Sequence, residues 1–442
     1  MLIGKSLNIL PNEIESFLKK QGVGFTLEFE PNKEIAFVIV SSLLKPYEEE
    51  ILNELYTLKI PEVSLEEFEE YYISKLKPNS LLMSLKLSSN QDRIKRLLNI
   101  KSLNSELYLK IFKLYNWQDE GIFDNNSNRD VAISFIKRFF KPTAPIYNHT
   151  DITYSPANLI DIALTSANKD ALDAMLFMPS FSFNTRAKEP WKPKELKEFI
   201  ALNPNLSINT KKTLLALNSK RIDTLLALNP SLNKEEQFII YNRGSLEALI
   251  NLAKNENLVD ELFKELLNSD INIIKTLLLN QKIDKNRLDL IKKEHLLYLS
   301  KNPNIKDIVQ DILFLDKKLD FALSSNEAVS SALIKKLYNK YKNEIALFLS
   351  LNKNTPKELL EEFFKLNQKE ITLNLATNPN TPQDILDSLC ELNDYELNKK
   401  LALNPSIKDE YLEFFKLDNE LLRLMSTNEQ MVDRIKKSKE YI

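Results

Sequence analysis

Glycine, histidine and cysteine are scarce in this 442-residue chain, which contains five, two and one of them. The glycines are also scattered, at Gly4, Gly22, Gly24, Gly121 and Gly244. A glycine-rich phosphate loop or a dinucleotide-binding fingerprint needs clustered glycines, so both are excluded. The single cysteine, Cys390, excludes a disulfide framework and a multi-cysteine metal cluster within one chain. We therefore expect neither a cofactor nor a metal ion.

The chain also lacks an excess of charge and a long apolar segment. With 60 basic and 62 acidic residues the net charge is -2, so no global charge attracts the protein to nucleic acid or to an acidic membrane surface. No apolar run reaches the length of a membrane span, and the N-terminal residues do not follow the pattern of a signal peptide. We expect a soluble cytoplasmic protein that does not bind membranes.

One short phrase recurs along the C-terminal half of the chain. It consists of a hydrophobic residue, a small residue, any residue and then Asn, often followed by Pro. The ten anchoring asparagines are Asn203, Asn229, Asn255, Asn280, Asn302, Asn326, Asn352, Asn378, Asn404 and Asn428. Their spacing of 22 to 26 residues is typical of solenoid proteins, in which each repeat packs only against its neighbours.

Each copy of the phrase predicts a helix that ends at the Asn. The residues three and seven positions before the Asn are apolar in nearly all copies, so they share one helix face and form a buried stripe. Asn tolerates the left-handed conformation of a helix C-cap, and a following Pro cannot continue the helix. A second helix then begins, most clearly at Thr381-Pro382, where Thr is a suitable N-cap. These helix pairs predict a mainly α protein, an α-solenoid that is degenerate over residues 77–190 and regular over 191–442.

The phrase resembles the repeat of the leucine-rich repeat variant family. The best matches are Leu375-Ala376-Thr377-Asn378-Pro379 and Leu401-Ala402-Leu403-Asn404-Pro405, and the resemblance covers roughly residues 195–428. It implies a right-handed superhelix of alternating α and 3-10 helices. The second helix of each pair here is long enough for an α-helix, which makes the array more similar to HEAT repeats. One member of the family carries an iron–sulfur cluster on an N-terminal cysteine motif, but this chain lacks those cysteines.

Residues 1–76 do not follow the repeat. Their pattern predicts strands over 2–10, 24–30, 34–41 and 60–63, helices over 12–21, 47–58 and 65–74, and a parallel sheet. This order resembles the BRCT domain of NAD-dependent DNA ligases, and Gly4-Lys5-Ser6, Gln21-Gly22 and the segment 60–68 carry the resemblance. Phosphate-binding members have Ser or Thr followed by Gly after the first strand, where this chain has Leu10-Pro11-Asn12. Lys45 corresponds to their phosphate-pairing lysine.

Two basic runs are candidate contacts with a phosphate backbone, and the alternative interpretation is a solvated helix face. Together with the lysine near the second helix they give ten candidate residues: Lys45, Lys282, Lys285, Arg287, Lys292, Lys293, Lys335, Lys336, Lys340 and Lys342. Glu recurs eight positions before the Asn, at Glu195, Glu247, Glu294, Glu344, Glu370, Glu396 and Glu420. This row predicts either an acidic edge for a basic partner or favourable charges near helix N-termini.

The remaining candidates have simple structural interpretations. His295 falls at a stripe position and is expected in the core, and His149 falls in a proline-containing loop near Asp151. Neither histidine has a recognisable nucleophile beside it, so no catalytic residue is predicted. Cys390 is expected to be a packed thiol. Four phenylalanines have core spacing rather than the arrangement of a stacking platform: Phe363, Phe364, Phe414 and Phe415.

Together these features predict a scaffold rather than an enzyme. We expect it to bind a macromolecular partner, a protein, along the solenoid, and the BRCT resemblance associates it with DNA repair and replication. The alternative is a nucleic-acid-binding protein that uses the two basic runs. A third class, a helical-repeat enzyme similar to DNA glycosylases, needs a catalytic acid beside an aromatic pocket, and no residue set indicates one. The sequence indicates no small-molecule substrate.

Overall fold

The computed structural model describes residues 1–30, 33–117, 121–141, 154–179, 194–305, 307–314 and 317–438. In these ranges the protein is mainly helical, with 29 α-helices and one small parallel sheet. The chain divides into two compact units, Met1–Leu232 and Asn233–Ile442. No helix in the described ranges is both long enough and apolar enough to cross a membrane.

The first unit begins with the sheet and continues with helices. Its elements are β1 (Leu2–Ile3), α1 (Pro11–Lys20), β2 (Val38–Val40), α2 (Pro46–Thr57), β3 (Glu62–Ser64), α3 (Leu65–Lys75), α4 (Pro78–Ser88), α5 (Gln91–Leu98), α6 (Ser105–Phe112), α7 (Asn126–Phe139), α8 (Pro156–Thr165), α9 (Lys169–Met175), α10 (Leu196–Ala201), α11 (Ile208–Ala216) and α12 (Lys220–Leu226).

The three strands are parallel in the order β1-β2-β3, which confirms the predicted parallel sheet. Leu2 lies opposite Ile39, and Ile39 lies opposite Val63. The residues of β1 and β2 are apolar and buried, and Met1, Ile3, Val38, Val40 and Leu55 form a core at the sheet.

Two predicted strands differ from the structure. The first is only two residues long, because Gly4 adopts a φ of +81° and the Ser6 hydroxyl then donates to the Ile9 carbonyl at 2.6 Å. The segment 24–30 forms no strand. There the hydroxyl of Thr26 accepts from the Glu28 N–H at 3.1 Å and donates to the Glu28 carbonyl, which turns the backbone away from the sheet.

An ion pair between the half-buried Arg221 and the buried Glu198 joins α12 to α10 in the same unit. Arg221 donates to both carboxylate oxygens of Glu198, at 2.6 and 2.9 Å, and the Lys194 N–H donates at 2.7 Å. Burial raises the pKa of Glu198, but these hydrogen bonds outweigh it and hold the pKa below the ordinary value of 4.5. The ionised pair therefore stabilises the unit, and it is lost when the carboxylate is protonated.

Replacing Glu198 with Gln is expected to lower the free energy of unfolding at pH 7 by about 2 kcal/mol, because hydrogen bonds to charged groups are lost. Since the folded pKa lies below the unfolded one, the stabilisation is present above about pH 4.5 and disappears as the pH falls through the folded pKa. Urea unfolding at pH 7 and pH 3 measures both effects. Glu15→Gln, on an exposed face of α1, is the control. If the free energy of unfolding of Glu198→Gln is lower than that of the parent by the same amount at both pH values, the prediction is contradicted.

The second unit contains the remaining helices. They are α13 (Lys234–Arg243), α14 (Leu246–Lys254), α15 (Asp260–Leu266), α16 (Ile271–Asn280), α17 (Lys285–Leu288), a 3-10 helix (Lys293–His295), α18 (Leu296–Leu299), α19 (Asp307–Leu313), α20 (Lys317–Ser324), α21 (Ser331–Tyr341), α22 (Asn343–Leu351), α23 (Lys357–Lys365), α24 (Lys369–Thr377), α25 (Gln383–Glu391), α26 (Tyr395–Leu401), α27 (Asp409–Phe415), α28 (Asn419–Met425) and α29 (Glu429–Ser438).

The helices of the second unit pack against one another in a regular pattern. Each even-numbered helix from α14 to α26 packs against the next even-numbered one, and most pack against the odd-numbered helix before them. We call these helices the even row and the odd row. The predicted stripe residues lie between them: Leu277, Leu349 and Leu375, three positions before their Asn, are fully buried. The prediction of a buried stripe is confirmed.

The anchoring asparagines have a different role from the predicted left-handed C-cap. Asn352 and Asn378 have φ values of -74° and -76°, which is extended backbone. The left-handed residues include Asn218, Asn367 and Asn393, which stand where an odd-numbered helix turns into an even-numbered one. The predicted mechanism was wrong. The position requires the side-chain amide of Asn and not a left-handed backbone conformation.

Most anchor amides bridge to the end of the preceding even-numbered helix. Asn378 donates to the carbonyls of Ser350 and Asn352, at 2.9 and 3.0 Å, and its oxygen accepts from the Asn380 N–H at 2.9 Å. The last carbonyls of a helix have no partner within it, so the amide of the next turn satisfies them. The same pair of donated bonds occurs at Asn203, Asn229, Asn302, Asn326, Asn352 and Asn404.

At one predicted anchor, the bridging side chain belongs to the next residue in the sequence. Asn280 is exposed and bonds back to the Thr276 carbonyl, whereas Gln281 is buried and donates to the carbonyls of Ala253 and Asn255 at 2.9 and 2.7 Å. The longer Gln side chain supplies the same two amide hydrogens from a different backbone position.

The prediction that Thr381 is an N-cap was wrong. Its hydroxyl donates to the Leu375 carbonyl at 2.7 Å.

Candidate interaction surface

The two basic runs lie in the second unit, mainly on helices of the odd row, and the 3-10 helix of the first run leads into α18 of the even row. The first includes α17 and the 3-10 helix, the second lies on α21, and α19 stands between them. In the described part of the chain five of their lysines are exposed and show neither an ion pair nor a contact with an aromatic ring: Lys282, Lys285, Lys292, Lys293 and Lys335. These five are free to contact a ligand.

The other basic candidates are engaged within the protein. Arg287 pairs with Asp260 at 2.6 Å, donates to the Leu258 carbonyl at 2.9 Å and lies over the ring of Phe263 at 4.8 Å. Its guanidinium therefore holds α17 against α15.

Lysines of the second run and of the first unit also have intramolecular contacts. Lys336 pairs with Asp311 at 2.7 Å, and Lys342 lies over the Tyr338 ring at 5.3 Å. In the sheet-containing unit, Lys45 lies over the ring of Tyr47 at 5.6 Å. Each of these contacts would have to be broken or shared before the lysine could bind phosphate.

Lys340 has the strongest of these contacts. Its ammonium lies 2.7 Å from the fully buried carboxylate of Asp320, which also accepts from the Tyr341 hydroxyl at 2.6 Å. The hydrogen bond with Asp320 raises the pKa of Lys340. Lys340 therefore compensates the buried charge of Asp320. A ligand that drew Lys340 away would leave that carboxylate without its counter-ion, which is unfavourable.

The glutamate row stands mainly in the first turns of the even-numbered helices. Glu247, Glu344, Glu370, Glu396 and Glu420 occupy that position in α14, α22, α24, α26 and α28. A negative charge there interacts favourably with the helix dipole. Glu344 also pairs with Lys317 at 2.7 Å, and Lys399 lies 3.1 Å from Glu420. This row thus has a structural use that needs no partner.

The predicted core residues are placed as follows. His295 is buried, and Cys390 is buried with a pKa that burial, together with Asp387 and Glu391, raises to about 12. Phe363 and Phe415 are in the core. Phe414 is 52% exposed, so the core interpretation was wrong for it, because two adjacent helical residues point in different directions. His149 and Asp151 lie outside the described residues.

An apolar surface that the sequence interpretation missed lies on the even row. Phe321 on α20 meets Phe348 on α22 edge to face, with ring centroids 5.5 Å apart. Leu347 and Leu351 continue it and are 36% and 57% exposed, and Leu297 of α18 is half-buried. We call these five residues the α18–α22 patch. They occupy positions one, four and five before their anchors, and apolar residues at these positions were the available sequence signal.

The patch adjoins a depression between α18 and α20. This cavity of about 460 Å³ is lined by Leu297, Lys301, Ala322, Ser325 and Asn326. Lys301 and the nearby Lys318 are exposed, and neither forms an ion pair within the described ranges. The patch therefore combines apolar contact area with uncompensated positive charge at its border.

A second cavity lies in the first unit at the carboxyl edge of the sheet, where ligands bind in many α/β proteins. It has a volume of about 410 Å³, and its lining includes Lys5, Ser41, Glu62, Glu69 and Lys101. Burial raises the pKa of Glu69, which accepts from the Asn8 amide at 3.3 Å. Glutamates outnumber lysines in the lining, and Lys45 is not part of it.

The described residues define a mainly helical protein with a small parallel sheet at its N-terminus and a partly apolar surface on the even row. Comparison of the chain with models of known protein families, with curated proteins and with solved structures gave no match.

Proposed function

We propose that the protein is a non-enzymatic scaffold built as a right-handed α-solenoid with a BRCT-like α/β head. The even-row contacts and the anchor amides, which bind carbonyls of the preceding turn, support the solenoid. The order of strands and helices in residues 1–76 supports the head. DNA repair or replication is the setting that the BRCT resemblance implies.

The partner is a protein segment that is apolar on one side and acidic at its border. The observation that carries this proposal is the α18–α22 patch, where Leu351, Phe348 and Leu347 remain exposed although the helices on either side are packed. Exposed aromatic and aliphatic side chains that lie together are typical of protein interaction sites. Lys301 and Lys318 provide the positive charge that such a partner would complement.

The test is site-specific cross-linking followed by a binding measurement. A photoreactive amino acid at position 351 is expected to capture a defined partner, and the same residue at position 417 is not. Purified partner should then bind Leu351→Ser at least about tenfold more weakly than the parent. Leu417→Ser, which changes a leucine that is 83% exposed outside the patch, should bind like the parent. Equal binding by both variants would contradict the proposed surface.

The second candidate function is nucleic-acid binding through the two basic runs. It is favoured by their five lysines that form neither an ion pair nor a contact with an aromatic ring. The test measures the binding constant for duplex DNA over a salt series. When Lys282, Lys285 and Lys335 are changed to Gln, the slope of its logarithm against the logarithm of the salt concentration is expected to become shallower by about 0.9 per lost phosphate contact. Changing the even-row Lys254, Lys275 and Lys301 is the control. An unchanged slope would remove this candidate.

A further inference from the structure

A small cavity in the second unit is lined by two lysines, an asparagine, a histidine and two leucines. It has a volume of about 160 Å³ and is formed by Lys264, Leu267, Asn268, Leu290, Lys292 and His295. Lys264 stands in α15, and Lys292 directly precedes the 3-10 helix that contains His295. No carboxylate belongs to the lining, which distinguishes this cavity from the one at the sheet edge.

The groups around the cavity can donate hydrogen bonds to an anion. In the described ranges neither Lys264 nor Lys292 forms an ion pair, so both ammonium groups are available. The Asn268 amide donates to the Lys264 carbonyl at 3.2 Å and has a second hydrogen left. His295 is 8% exposed, stacks on Tyr298 and has the exposed Glu294 carboxylate 3.4 Å from its Nε2.

We propose that this cavity binds a phosphate monoester. Such a group has close to two negative charges at neutral pH and three free oxygens, which correspond to the two ammonium groups and a third donor from Asn268 or His295. A backbone diester has one charge and is substituted on two sides, so it fits a concave site between Leu267 and Leu290 less well.

The monoester is carried by a phosphorylated side chain of the protein partner, and this part of the inference rests on the proposed function. His295 immediately precedes α18, the helix that contributes Leu297 to the α18–α22 patch. A partner that occupies both sites would use the apolar patch for affinity and the cavity for dependence on phosphorylation.

The test uses the full chain and small phosphates, so that it does not depend on a partner. Histidine side-chain NMR signals are recorded during titration with phosphoserine amide, dimethyl phosphate and adenosine monophosphate. The chain has two histidines, and the variant His295→Gln assigns the signal of His295. Phosphoserine amide is expected to shift that signal with millimolar affinity, and Lys264→Gln or Lys292→Gln should each weaken binding about tenfold. Lys275→Gln is the control.

Each alternative outcome overturns a stated part of the proposal. Absence of a shift, or unchanged binding in both lysine variants, would remove the site itself while leaving the patch experiment unaffected. Equal binding of dimethyl phosphate would identify a diester site and favour the nucleic-acid candidate. Adenosine monophosphate binding more than about tenfold tighter than phosphoserine amide would replace the protein ligand with a nucleotide.

Discussion

Replacing Asn378 with Leu is expected to lower the free energy of unfolding of the second unit by about 2–4 kcal/mol. The amide makes three hydrogen bonds. Its loss leaves the Ser350 carbonyl without this donor and the Asn352 carbonyl with the Thr355 N–H, at 3.0 Å, as its remaining donor. Leu has the same branching at Cγ and a larger volume than Asn, so the variant loses the polar contacts without leaving a cavity. Urea unfolding and hydrogen exchange of α22 and α24 provide the measurement.

The control for this variant is Asn339→Leu, which changes an exposed Asn on α21 and should alter stability by less than about 0.5 kcal/mol. Asn378→Asp is expected to be at least as harmful as Asn378→Leu, because a carboxylate cannot donate to two carbonyls. If the free energy of unfolding of Asn378→Leu changes no more than that of the control, the anchor amides do not hold successive helices together.

The second large effect is expected from two adjacent phenylalanines on α27. Phe415 is 1% exposed and Phe414 is 52% exposed, although both belong to the same apolar run. Phe415→Ala should cost about 3–5 kcal/mol, because it removes a buried aromatic ring and leaves a cavity. Phe414→Ala should cost less than about 1 kcal/mol, since its ring is half in solvent.

The same unfolding experiment measures both phenylalanine variants, and each serves as the control for the other. Equal losses of stability would show that Phe414 is covered by another part of the chain or by a second molecule. A small loss for Phe415→Ala would show that α27 packs differently from the structure described above.

The helical stripe and the parallel sheet could be predicted because each depends on a local pattern. Apolar residues four positions apart can only lie on one helix face, and Leu349 and Ile345 are accordingly both fully buried. The helix over 65–74 was predicted within one residue, since Ser64 forms a capping box with Glu67 at its start. In both cases the information lies within a few neighbouring residues.

The errors concern side chains whose partners are distant in the sequence. Asn378 has the residue type of a C-cap, but its amide binds carbonyls that are 26 and 28 residues earlier. Gln281, which does not match the phrase, takes the same place because only its two amide hydrogens matter. A pattern of residue types cannot distinguish a local cap from a bridge to the preceding turn.

The candidate surface shows the same division between local and tertiary information. The sequence by itself determined where basic residues cluster, but only the tertiary structure decided which are available: Arg287 and Lys340 compensate Asp260 and Asp320, whereas Lys285 has no such contact. Likewise, the sequence determined which positions of the helices α20 and α22 are apolar. Their packing decided that Phe348 and Leu351 stay exposed, because burial depends on which neighbouring helix covers each face.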